Sequence, residues 1–109
     1  MGKGILMSER GELKRIGAKP HKNSGRGMVK GDGSLDRYVV DVKEYSKSFS
    51  VNKDVWGKIV TDTLRVDPNK SPVLMIVLGD TKKTRLAIIE WNEFEELREI
   101  RENSEREHN

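Results

Sequence analysis

The stretch Lys30-Gly31-Asp32-Gly33-Ser34-Leu35-Asp36-Arg37-Tyr38-Val39-Val40-Asp41-Val42-Lys43 decides how the rest of the chain is read. It opens Gly-rich and polar, as a loop carrying Asp32, and turns into a β-branched run that ends in Asp-Val-Lys. Such residues suit a pleated, half-buried surface, so the spacing predicts a strand over 37–45. Side chains alternate along a strand, which puts Asp41 and Lys43 on one face and Val40 and Val42 on the other. Two carboxylates and a lysine at a strand end are able to hold a divalent cation and position a water for attack on a phosphodiester. Asp41 and Lys43 read equally as an exposed ion pair of little energetic weight. The residues alone leave both readings open.

An acid two positions before a lysine is a common spacing. With 18 acids and 12 lysines in 109 residues, chance gives about two cases, and there are three. Glu12-Leu13-Lys14 falls in a predicted helix and Asp80-Thr81-Lys82 in a predicted turn, where solvated charges are ordinary. Only Asp41-Val42-Lys43 ends an apolar strand and follows an aspartate in a Gly-rich turn. In the metal reading Asp32 and Asp41 supply hard oxygen ligands and the Val42 carbonyl completes the set. Lys43 then stabilises charge developing on the phosphate or lowers the pKa of the attacking water.

Working outward, Ser8 is placed to cap a short helix to about Ile16, stopped by Gly17, with Leu13 and Ile16 turned inward. From Ala18 to Gly33 the composition predicts an irregular loop, with room for a brief strand over 27–30. After a polar break at 46–50, Asn52 or Ser50 caps a helix to about Arg65, in which Val55, Trp56, Ile59, Val60 and Thr63 follow helical spacing. A turn at 67–70 leads into Pro72–Leu78, the most apolar run and a predicted buried central strand. A turn over 79–84, a strand over 85–90 and a helix from Trp91 that frays into a charged tail complete the chain. This order gives a single α/β domain over 1–109, with helices flanking a small mixed sheet.

The chain is polar, 34% hydrophobic against 36% charged, so its core must come from a few dense segments. It has no cysteine, which excludes disulfide scaffolds, thiolate zinc sites and cysteine nucleophiles. No apolar run approaches the about 20 residues that span a bilayer, and no signal-peptide pattern opens the chain. The expectation is a soluble cytoplasmic protein with no membrane partner. The net charge of +3 is unevenly spread. Residues 1–30 carry eight basic and two acidic side chains, whereas the acidic helical tail from about 91, counted with Glu90, carries eight acidic and three basic ones. A basic end fits a polyanion, whose condensed counterions it releases, and also fits a merely solvated surface.

Taken together, Glu9, Gly17-Ala18, Ser24-Gly25, Lys30-Gly31-Asp32, Asp41-Val42-Lys43 and Ser48-Phe49-Ser50-Val51 resemble the PD-(D/E)XK nuclease superfamily. The likeness is greatest to small phage nucleases related to archaeal Holliday-junction resolvases. Those proteins share an N-terminal helix with a glutamate, a Ser-Gly loop, a Gly-Asp, an acid-x-Lys strand and a serine-containing turn before the next helix. The resemblance implies a restriction-endonuclease-like core, with Asp32, Asp41, the Val42 carbonyl and Glu9 as metal ligands and Lys43 as the catalytic lysine. It implies Mg²⁺ as cofactor, with Mn²⁺ able to substitute. Ser24 matches a loop serine that contacts the scissile phosphate, and Lys22, Arg26 and Lys30 are placed as DNA contacts. Lys53 and Lys58, on the following helix, fit either DNA or a solvated face. The chain departs from the pattern in carrying Asp41 where Glu is commoner. Its compact stretch before Asp32 also makes Glu12 an alternative to Glu9. Asp36 rivals Asp32 but precedes Asp41 by only five residues, a tight fit for a hairpin partner.

The expectation is a Mg²⁺-dependent endodeoxyribonuclease cutting branched DNA such as Holliday junctions, as a homodimer, in the host cytoplasm if phage-encoded. The alternatives are a monomeric nicking or single-strand nuclease and a non-catalytic basic nucleic-acid-binding module. A protein-interaction domain built on the acidic C-terminal helix is a third. His21 reads as a DNA contact or solvated residue, and neither His21 nor His108 has zinc-like spacing. Trp56, Trp91, Tyr45 and Phe49 read as core or interface residues.

Overall fold

Both faces of Ser71–Leu78 are apolar, so this strand needs cover on both sides, and the surrounding elements supply it. The computed structural model describes residue 9, residues 11–21 and residues 32–108. Five strands form one sheet in the spatial order β1 (Lys19–Pro20), β2 (Asp32–Leu35), β3 (Tyr38–Tyr45), β4 (Ser71–Leu78) and β5 (Thr84–Ile88). The first three run antiparallel, β3 and β4 are parallel, and β5 returns antiparallel. A parallel pair needs a crossover, here the helix α2 (Lys53–Val66). The other helices are α1, helical at residue 9 and residues 11–15, and α3 (Trp91–His108). Among the described residues the fold is thus α/β with a five-stranded, mixed, open sheet and three helices.

Two apolar layers hold it. On one face Leu13 of α1 and Ala18 pack against Val40, Val42, Met75 and Val77. On the other, Ile59 of α2 packs against Leu74 and Ile76, with Val55, Trp56 and Phe49 alongside. Asn52 caps α2 by accepting from the Val55 amide at 2.8 Å, and the Asp67 amide closes the far end on the Thr63 carbonyl. Among the described residues no helix is long and apolar enough to cross a membrane.

The structure corrects the sequence reading at three places. Asp32 is not borne on a loop: Asp32–Leu35 is a strand, and the hairpin turn falls at Asp36-Arg37, with Asp36 in the left-handed region at φ 52°. Asp-Gly-Ser-Leu has little strand propensity, and its pairing is imposed from outside. At Gly33 a Cβ would lie 3.0 Å from both Leu13 Cδ2 and the Lys19 carbonyl, so a larger residue would push α1 or β1 back by a few tenths of an ångström. Lys19–Pro20, expected in a loop, is accordingly the edge strand β1. Finally, α3 does not fray after Ile100 but continues through His108, laced by Arg98 with Glu95 and Glu102 and by Arg101 with Glu105. The Ser8 cap and the brief strand over 27–30 lie outside the described residues.

Candidate active site

The acid and lysine of the sequence reading lie in the second half of β3. The Ser71 amide donates to the Arg37 carbonyl at 2.9 Å and the Gly79 amide to the Tyr45 carbonyl at 3.1 Å. Odd-numbered residues of β3 therefore turn their main-chain groups toward β4, and even-numbered ones toward β2. Described β2–β3 pairing ends at Asp32↔Asp41, which by this alternation is a narrow pair lacking mutual main-chain hydrogen bonds. Register places Asp32 and Asp41 on one face of the sheet, where opposed positions come closest. Asp32 is described here by its backbone alone. Beyond the pair, the Val42 carbonyl and the Glu44 amide lie on the β2 edge, and the Glu44 amide donates to Glu9 Oε2 at 3.2 Å. The glutamate of α1 thus takes up a main-chain donor on this edge of β3.

Asp41 is 9% exposed and its Oδ1 lies 3.1 Å from Lys43 Nζ. That contact is an ion pair by distance; the same buried oxygen has no partner in hydrogen-bond geometry among the described residues. A buried carboxylate oxygen left in this state is costly unless something further engages it. Burial pushes the Glu9 carboxyl above the usual glutamate range, opposed by the Glu44 amide and Lys43 and reinforced by Asp41 and Glu44. Glu9, Asp41 and Lys43 therefore share one electrostatic environment. Glu12, the alternative to Glu9, is turned elsewhere: both its oxygens accept from Arg85, which holds its carboxyl below the usual range. Asp36, the rival to Asp32, occupies the hairpin turn instead.

Sequence reasoning missed Glu44, Lys83 and Arg85. Glu44 stands on the same face as Val40 and Val42, is 5% exposed, and pairs with Lys83. Its place in the alternation marks a charge on the apolar side of a strand, a signal readable from sequence. Its partner, 39 residues on, is not.

The remaining candidates scatter. His21 is half-buried, its Nε2 2.6 Å from Ser34 Oγ, and burial lowers its imidazole pKa. Tyr45 and Phe49 stack on each other with centroids 5.2 Å apart. Lys53 is exposed at the start of α2, and Lys58 pairs with Asp62 on the same helix. Trp56 packs beside the α2 core, whereas Trp91 is 71% exposed rather than in the core. Lys22, Ser24, Arg26 and Lys30 lie outside the described residues.

Hard oxygen donors suit Mg²⁺, and the Asp41 carboxylate, the Glu9 carboxylate and the Val42 carbonyl are of that kind. Among the described residues no group of three or more His, Asp or Glu side chains is placed to hold a metal ion. Mg²⁺ does not require one, since it keeps several waters and takes one or two protein carboxylates. The Asp41 carboxylate, whose buried Oδ1 faces Lys43 at 3.1 Å without hydrogen-bond geometry, is the donor that fits such a cation best. The chain matches no protein-family profile, no curated protein and no solved structure.

Proposed function

We propose that the chain is a divalent-metal-dependent endodeoxyribonuclease with a restriction-endonuclease-like core, acting on branched DNA such as four-way junctions. The observation that carries this reading is the pairing of buried Asp41 with Lys43, 3.1 Å apart in the second half of β3, with the Glu9 carboxylate drawn to the neighbouring Glu44 amide. The element order supports it: a helix bearing a glutamate, an aspartate opening β2, an acid-x-Lys strand, and a Ser-containing turn before α2. Asp41, Glu9, the Val42 carbonyl and Asp32 would hold Mg²⁺ or Mn²⁺, which would supply a more acidic water and neutralise phosphate charge. The Lys43 ammonium stabilises negative charge growing on the attacked phosphate. The Glu9 carboxylate, made more basic by burial, takes up the proton of the attacking water. The basic segment 1–30 draws the DNA backbone toward the site.

Two symmetric cuts in a junction need two sites, so the active species is a homodimer. The non-catalytic reading has one observation on its side, the Asp41–Lys43 pair, which a purely structural ion pair also explains.

Labelled four-way junction, duplex and single strands incubated with and without Mg²⁺ test the proposal, alongside Asp41→Asn and Lys43→Ala. Cleavage that needs the metal and disappears in both variants, while salt-dependent DNA affinity persists, is the expected result. Affinity without metal-dependent cleavage in the unaltered protein sinks the nuclease and leaves a binding module. Sedimentation of the protein on junction DNA reads the dimer.

A further inference from the structure

The polar contacts between α1 and the sheet form a chain that ends on Glu9, and the nuclease reading leaves most of its members without a role. Glu44, Val77 and Arg85 stand in one row across β3, β4 and β5, on the face covered by α1. Glu12 lies one helical turn from Glu9 and receives both prongs of Arg85, Nε to Oε1 at 2.7 Å and Nη2 to Oε2 at 3.0 Å. Lys83, just ahead of β5, pairs with Glu44 Oε2, and the Glu44 amide donates to Glu9. Glu12 and Glu44 are both buried, and Glu44 Oε1 has no hydrogen-bond partner among the described residues. Ion pairs buried in this way seldom add stability over apolar residues of similar size, because desolvation offsets the attraction. What a two-pronged guanidinium–carboxylate contact does fix is orientation. Among the described residues, Leu13 and Ile16 are the apolar contacts of this segment with the sheet, and such contacts fix rotation and sliding less strictly than a two-pronged ion pair.

The geometry points to Arg85 and Lys83 as positioning residues for Glu9, acting through Glu12 and Glu44. Arg85 sets the rotation of α1, and Lys83 sets the strand end whose amide receives the Glu9 carboxylate. This inference rests on the nuclease reading for its effect on cleavage, and on the contacts alone for its effect on structure.

The test compares three variants with the unaltered protein: the apolar pair Glu12→Met with Arg85→Met, the conservative Arg85→Lys, and Glu9→Gln. Amide hydrogen exchange read by NMR is the first measurement, and cleavage kinetics the second. In the Met pair the Glu44 amide exchanges at least about tenfold faster while the amides of Leu74 and Val77 keep their protection. Its kcat falls about 100-fold, the order expected when a reacting group is displaced by an ångström, with KM for DNA unchanged. Adding Glu9→Gln to the Met pair costs nothing more, because both act through one carboxylate. Arg85→Lys keeps the charge, loses the fork and falls between, and it carries the same comparison if the Met pair does not fold. Unchanged exchange at Glu44 overturns the assignment. So does a parallel loss of protection at Leu74 and Val77, which is general loosening. If the unaltered protein cleaves no DNA with any divalent metal, the nuclease reading falls, and the exchange measurement still decides the positioning.

Discussion

The two ends of β3 are built from opposite materials. At its start, Tyr38 and Val40 join Ile16, Leu35, Val73 and Leu97 around an open apolar cavity of about 400 Å³. At its finish, Asp41, Lys43 and Glu44 are buried or half-buried, with Glu9, Glu12, Lys83 and Arg85 gathered against the same end. A chain with only 34% hydrophobic residues has few to spend on a core. It nevertheless turns a whole strand end over to charge, including carboxylate oxygens of Asp41 and Glu44 that find no hydrogen-bond partner among the described residues. Burying charge costs free energy that apolar side chains of the same size would not incur. The proposed nuclease site would account for this charged end, whose burial folding alone does not call for.

The largest expected effect lies at the charged end. Lys43→Ala lowers the rate of metal-dependent cleavage about 100- to 1000-fold, the usual loss when a preorganised positive group is removed from a developing anion. Duplex affinity, carried by the basic segment, stays within a few-fold by gel shift. Loss of affinity and cleavage in proportion would instead make Lys43 a DNA contact and dissolve the contrast. The apolar part breaks the other way. Leu74 stands beside Asp41 in the same row, fully buried against the α2 layer. Leu74→Ala costs about 2–5 kcal/mol of stability by denaturant unfolding, through lost transfer energy and the cavity left behind. Gly33→Ala comes next, at about 1–3 kcal/mol, because the added methyl meets Leu13 and the Lys19 carbonyl at 3.0 Å. A Gly33→Ala protein as stable as the parent would show that α1 and β1 yield freely, and that Glu9 is held less firmly than its contacts imply.

Much of this architecture was legible from local pattern. The apolar run Pro72–Leu78 could only be a strand covered on both faces, and Asn52 announced α2 through the helical spacing behind it. The Asp41/Lys43 face followed from alternation alone. Asp32–Leu35 was not legible as a strand, because the reason it pairs is a steric fit at Gly33 with residues from α1 and β1. Nor could the length of α3 be read. An apolar stripe that ends at Ile100 signals fraying, and what sustains the helix is charge pairing between side chains three and four apart. Of the two glutamates offered by resemblance, Glu9 meets the Glu44 amide and Glu12 is taken by Arg85, 73 residues beyond it in the chain, a pairing that local pattern does not disclose.

The smallest effect is the sharpest, because it separates two glutamates one turn apart on α1. Burial raises the Glu9 carboxyl above its ordinary value of 4.5, so the folded state holds that proton more tightly than the unfolded chain does. A group of this kind stabilises the fold fully below its ordinary value, and the contribution is lost as pH rises through the folded one. At neutral pH ionised Glu9 therefore works against folding, and Glu9→Gln makes the protein more stable there while it lowers kcat about 100-fold. Glu12 is the reverse: hydrogen bonds from Arg85 lower its carboxyl, so its contribution is present above the same ordinary value and is lost as pH falls through the folded one. Glu12→Gln therefore destabilises at neutral pH and matters progressively less in acid. Thermal midpoints from about pH 3 to pH 8 give two difference curves, one for each variant against the parent. The Glu9 curve gains stability with rising pH, upward from 4.5, and the Glu12 curve loses it over a window extending below 4.5. Curves sloping the same way would mean that both carboxylates are structural partners of the sheet. A helix whose two glutamates have opposite signs is holding one of them in place with the other.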